Sequence, residues 1–130
     1  MSHFHAAVWI DHRLAHIYKL GFDDVTTKTV RNPNTGRIHH KAGSIGAGHS
    51  HNNQSYFEAL GAELADAKAI LIMGPAQAKD EFKNFLESHL TQINARVVGV
   101  ETLDRETDKE VVAFARKFFA HSDRMTPQRN

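Results

Sequence analysis

Four of the ten histidines in this 130-residue chain, His39, His40, His49 and His51, fall within a stretch that contains no acid. From Val25 to Phe57 there is no Asp or Glu, while Lys28, Arg31, Arg37 and Lys41 carry positive charge. The whole chain has 16 basic and 15 acidic residues, so the acids outnumber the bases everywhere else. A near-neutral total therefore hides a cationic segment on an acidic body, the charge pattern of a surface that meets a polyanion. Imidazoles also allow a second chemistry, because they suit zinc, copper or nickel. The His39-His40 pair and the His49-x-His51 spacing match no recognised zinc signature, and no thiol or nearby acid completes a ligand set. A metal role would rest on His49 and His51. Without a metal, these side chains are exposed polar groups that gain charge as pH falls toward their usual pKa of about 6.5.

Carboxylates offer a third chemistry. Asp11 and Glu58 could be two acids of a two-metal nuclease, which clamps the attacking and leaving oxygens between divalent cations. A third acid is needed where the apolar run Ala69–Met73 ends, but Met73-Gly74-Pro75 supplies none. Glu101 would have to substitute from another strand. The competing expectation is that Asp11 caps a turn and Glu58 caps a helix. His12 and His16 read as strand-surface histidines. Gly43-Ser44-Ile45-Gly46-Ala47-Gly48 lacks the preceding strand and the Lys-Ser/Thr of a phosphate loop. Gly74-Pro75-x-x-x-Lys79 reads as a compact strand-to-helix turn.

The elements that must position these residues follow from hydrophobic spacing. Ala6–Asp11 is a short apolar run ending in an acid, which predicts a buried strand. After the Asp11-His12 turn, Arg13–Leu20 alternates as a second strand, and β-branched Val25–Val30 makes a third. Residues 31–53, with Pro33 and four glycines, show neither helix nor strand period and read as one long functional loop. A helix is expected from about Gln54, with Ser55 and Glu58 as a capping box and Phe57, Leu60 and Leu64 on its buried face. Ala69–Met73 is wholly apolar, as a strand covered on both faces must be. Gly74-Pro75 should open a second helix with Ala78, Phe82, Phe85 and Leu86 as its stripe. Ala95–Glu101 is a fifth strand. Thr107 and Glu110 cap a third helix bearing Val111, Ala115, Phe118 and Phe119, and residues 122–130 form a polar tail. The order β-β-β-α-β-α-β-α, with right-handed crossovers, gives an α/β fold with sheet order 3-2-1-4-5 and helices on both faces. That is the ribonuclease H-like arrangement, expected here as one domain over residues 1–121.

Val8-Trp9-Ile10-Asp11 followed by Ala15-His16-Ile17 resembles the opening of the central domain of eukaryotic/archaeal-type peptide release factors, Pelota-like proteins and their small bacterial relatives. His39-His40-Lys41, the glycines and then Gln54-Ser55 are similar to that family's release loop and following helix. Ile70-Leu71-Ile72-Met73-Gly74-Pro75 with Ala78-Lys79 and Phe82 is similar to its strand-to-helix junction. The resemblance spans about residues 6 to 120. Where the family's loop carries Gly-Gly-Gln, this chain has Asn52-Asn53-Gln54.

What the resemblance implies is a translation-associated accessory domain that binds the ribosome or tRNA. Arg31, Arg37 and Lys41 would contact phosphates, and His39, His40, His49 and His51 would hydrogen-bond or stack on RNA. An alternative is peptidyl-tRNA ester hydrolysis with Gln54 as the catalytic side chain, and another is a histidine-loop module for a metal or a partner. No cofactor, no membrane and no DNA partner are expected. The chain has no cysteine, no run of about 18 apolar residues and no signal-like pattern in Met1–His5, so a cytoplasmic location is expected.

Overall fold

A computed structural model describes residues 5–33, 45–104 and 107–125, with 45–52 and 122–125 described by backbone alone. Its elements are β1 (His5–Ile10), β2 (Leu14–Leu20), β3 (Val25–Arg31), α1 (Ile45–Glu63), β4 (Ala69–Gly74), α2 (Ala78–His89), α3 (Thr91–Asn94), β5 (Val97–Thr102) and α4 (Asp108–Met125). The five strands form one sheet in the order β3-β2-β1-β4-β5. β1–β2 and β2–β3 pair antiparallel, whereas β4 lies parallel to β1 and β5 parallel to β4. The order and the mixed sense are those expected from the spacing of apolar runs.

Burial explains why β1 and β4 are apolar along almost their whole length. Their alternate side chains serve two different cores, one on each face of the sheet. Val8, Ile10, Ile70 and Ile72 join Tyr56, Phe57, Leu60, Phe82 and Leu86 beneath α1 and α2. Ala7, Trp9, Leu71 and Met73 join Val111, Ala115 and Phe119 beneath α4. A strand polar on one side could not occupy either position. Among the described residues, no helix is long and apolar enough to cross a membrane.

Three boundaries differ from the expectation. α1 begins at Ile45, so the long loop is shorter than 31–53 and Gln54 lies inside a helix instead of opening one. Gly46, Gly48, Ser50, Asn52 and Asn53 are weak helix formers, which is why spacing and propensity missed these turns. Once Tyr56, Phe57 and Leu60 are docked, however, each added residue needs only elongation, which gains a hydrogen bond without a new nucleus. Ser55 accordingly caps nothing. Second, Pro75 and Ala76 form a turn, and α2 starts after Gln77, whose carbonyl accepts from Asp80 and Glu81. Third, α4 continues to Met125, into the expected tail, and the short α3 had no sequence signature. The capping box at Thr107 is present: the Glu110 N–H donates to Thr107 Oγ1 at 3.2 Å, and Thr107 N–H donates to Glu110 Oε1 at 3.3 Å.

Gly74 is required by space, not by backbone angle. A Cβ built there would collide with the carbonyl oxygen of Ile10. Parallel β1 and β4 therefore close up at their carboxyl ends, where Leu103 N–H also donates to the Gly74 carbonyl at 2.9 Å. Replacing Gly74→Ala is expected to lower unfolding stability by about 1–3 kcal/mol, the usual range for overpacking. Urea titration should show a shifted midpoint with an unchanged slope.

Candidate functional site

The acid-free segment leaves the sheet at the end of β3 and returns in α1, and both ends are held by one buried side chain. Asn32, 5% exposed, donates through Nδ2 to the His12 carbonyl at 2.9 Å and to Asn53 Oδ1 at 3.0 Å. Its own N–H donates to the Arg13 carbonyl at 2.9 Å. The β1–β2 turn that supplies these carbonyls is itself fixed by Asp11, whose Oδ1 accepts from the N–H groups of Arg13 at 2.8 Å and Leu14 at 2.9 Å. The Tyr56 hydroxyl, inside the core, donates to the Asp11 carbonyl at 2.9 Å and fastens α1 to the same turn. Burial, with the Asp11 charge second, holds that hydroxyl in its protonated form by pushing its pKa up. Asn32 and Asn53, at the two ends of this segment, are thus tied to each other and to one turn.

Cationic side chains ring that base. Arg31 is exposed at the end of β3 and sits opposite Leu14 in the β2–β3 register, next to exposed Arg13. Among the described residues, no carboxylate lies within ion-pair distance of either guanidinium. Arg13 falls outside the acid-free stretch in sequence, so only the strand register brings it to this rim. Lys28 behaves differently. Its Nζ is 2.8 Å from Glu63 Oε2, and Lys19 reaches the other oxygen at 3.5 Å, so Lys28 is neutralised by the end of α1. The hydrogen bond from Lys28, aided by the two lysine charges and opposed by partial burial, holds the Glu63 carboxyl below its ordinary range.

Between α1 and α2 lies a groove of about 450 Å³. Phe57 and Phe85 form its apolar wall, and Asn53, Gln54, Glu81, Asn84, Ser88 and His89 supply polar groups around it. Phe57 stacks obliquely on both Phe82 and Phe85 at 5.5 Å, so the wall is part of the core and cannot shift independently. Gln54 is exposed at this groove, and its Nε2 donates to Glu58 Oε2 at 3.2 Å. His12 contacts Glu81 at 3.3 Å and joins one end of the groove to the β1–β2 turn.

Of the residues singled out in the sequence, Arg31 and Gln54 therefore lie on either side of the Asn32 clamp. Arg37, His39, His40 and Lys41 lie outside the described residues. Positions 49 and 51 belong to helix α1 and not to a loop; two residues apart, they are separated by about 200° around the helix axis. Asp11 caps a turn, while Glu58 accepts from Gln54 and caps no helix. Among the described residues, no three His, Asp or Glu side chains gather as a metal site. His16 Nδ1 pairs with Thr29 Oγ1 across β2 and β3 at 3.0 Å. The residues that sequence reasoning missed are Asn32, Arg13 and the α2 stripe Glu81-Asn84-Ser88-His89. Helical spacing on α2 could have suggested that stripe, but only packing against α1 makes it a groove.

No protein-family model matches the chain, and no curated protein matches it in sequence. Solved structures share its fold. Pelota from Archaeoglobus fulgidus superposes with a TM-score of 0.63 at 15% identity, over 88% of this chain and 31% of that one. Pelota from Thermoplasma acidophilum gives 0.61 at 23% identity, over 87% of this chain and 32% of that one. The archaeal translation termination factor aRF1 gives 0.54 at 15% identity, over 93% and 41%. The chain therefore spans well under half the length of each of these proteins, and at such identities the likeness is one of fold. The fold that the sequence resemblance implied is the fold these structures share.

The Glu63 pairing has a pH signature. A carboxyl held below its ordinary pKa stabilises the fold above that ordinary value, and the contribution disappears as pH falls through the folded-state pKa. Glu63→Gln is expected to cost less than about 1 kcal/mol at pH 7, because the partly exposed pair is screened. In urea titrations the two proteins should differ at pH 7 and converge as the pH falls far enough to protonate Glu63 in the folded protein.

Proposed function

We propose that this chain is a translation-associated domain that binds ribosomal or transfer RNA. The segment between Asn32 and Asn53 is its contacting arm. The observation that carries this reading is a fold shared with Pelota and a termination factor, joined to an acid-free segment clamped at its base beside two arginines that meet no carboxylate among the described residues. Arg13, Arg31, Arg37 and Lys41 would lie against phosphates, which accept charge-assisted hydrogen bonds without regard to sequence. His39, His40, His49 and His51 would add hydrogen bonds and stacking, and more positive charge as pH falls. A protein with this role works in the cytoplasm.

Phosphate contacts displace condensed counterions, so affinity must fall steeply with salt. Co-sedimentation with ribosomes is expected at 50 mM salt and largely lost by about 200 mM. Changing Arg31, Arg37 and Lys41 together to Ala should weaken association and flatten its salt dependence by roughly two to three units of log–log slope. Absence of any association at low salt would sink the proposal.

A second reading, ester hydrolysis on peptidyl-tRNA, draws on the exposed place of Gln54 at the mouth of the groove. The helical backbone at Gln54 and the bond from its amide to Glu58 speak for binding without hydrolysis. Release of labelled peptide from ribosome-bound peptidyl-tRNA should be the same for the native protein and Gln54→Ala. A loss of tenfold or more in the variant would instead put Gln54 in the reaction.

A further inference from the structure

The groove between α1 and α2 has a composition that the cationic arm does not explain. On α2, His89 is exposed, and its ring stacks on Phe85 with centroids 4.6 Å apart and planes at 18°. Phe85 is only 9% exposed and is braced from behind by Phe57. The imidazole is therefore the outer leaf of a fixed aromatic stack, a platform for another flat ring. Around it, Asn53 and Gln54 on α1 and Asn84 on α2 bring three side-chain amides; Asn53 uses its oxygen on Asn32 and keeps its NH2 group, and Gln54 gives one donor to Glu58 and keeps its oxygen.

We infer that this groove receives one unpaired nucleobase of a single-stranded RNA. The inference rests on RNA being the partner, and it assigns a role to a second surface. Among the described residues no lysine or arginine lines the groove, while Glu81 does, which disfavours a phosphate there and not a neutral ring. An aromatic side chain from a protein would cover the phenyl wall but leave the remaining amide donors and acceptors of Asn53, Gln54 and Asn84 unused, which is costly when they are desolvated. A base satisfies both, by stacking and by hydrogen bonds to its edge. The volume of about 450 Å³ lies within the range of small-ligand pockets.

Position supports the same assignment. Asn53 lines the groove and is also bonded to Asn32, the residue after Arg31. His12, at the Glu81 end, is the residue before Arg13. A strand whose phosphates follow Arg13 and Arg31 thus passes the groove's entrance and can turn one base into it.

The test uses the full chain with end-labelled single-stranded hexaribonucleotides, the matching duplex and free nucleoside monophosphates, read by fluorescence anisotropy and competition. Urea titration checks that each variant is folded. His89→Ala is expected to weaken single-strand binding about tenfold, the usual effect of losing one stacking platform. His89→Phe should restore it, and duplex binding should be unaffected by either change. Asn84→Ala should reduce discrimination among the four homopolymers. If all variants bind single strands equally while ribosome association persists, the groove assignment is overturned and the RNA role stands. Competition by nucleoside monophosphates without any oligomer binding would also overturn it, in favour of a free nucleotide. If neither ribosomes nor oligomers bind, both proposals fail together.

Discussion

A single buried amide organises the edge of this molecule where the β1–β2 turn meets α1. Asn32 leaves the last strand of the meander and at once donates to the β1–β2 turn and to Asn53 across twenty residues of sequence. Buried amide groups are costly unless paired, so the arrangement is all-or-none: with either acceptor missing, an N–H is stranded away from water. The bond therefore sets where the arm leaves and where it returns. The same residue places the arm's base beside Arg13 and Arg31 and at the mouth of the groove.

That amide works only because the parts it joins are rigid. The turn is held by Asp11, and α1 is pinned to the turn by the Tyr56 hydroxyl. Beneath them, two cores grip β1 and β4 from opposite faces, and Gly74 lets the two strands close at their carboxyl ends. Every link from the arm to the sheet thus ends in packed side chains or a backbone carbonyl.

Charge is divided across the surface according to position, not composition. Lys28 belongs to the acid-free stretch but is neutralised by Glu63, so it steadies the meander against α1. Arg13 lies outside the stretch and yet stands in the cationic rim. The groove alongside carries amides over aromatic rings and, among the described residues, no lysine or arginine. On the proposed reading, two neighbouring surfaces would meet the two halves of a nucleotide: cations the phosphate, and a stack with hydrogen-bonding edges the base.

Much of the architecture was legible in the residues because its cause is local. The wholly apolar Ala69–Met73 demands two covered faces, Arg13–Leu20 alternates, and Thr107 with Glu110 announces a helix start. Those periods, with the handedness of crossovers, are enough for the sheet order. The start of α1 at Ile45 was not legible, since glycine and asparagine disfavour helix and only docking of Tyr56 and Phe57 sustains it. The site divides along the same line. Residue types alone marked the cations and Gln54, because charge and amide chemistry do not depend on neighbours. The Asn32–Asn53 bond, the company of Arg13 and Arg31, the loss of Lys28 to Glu63 and the stripe of α2 against α1 join positions far apart in the chain. Register and packing bring such positions together, and no pattern along the sequence encodes them before the chain has folded.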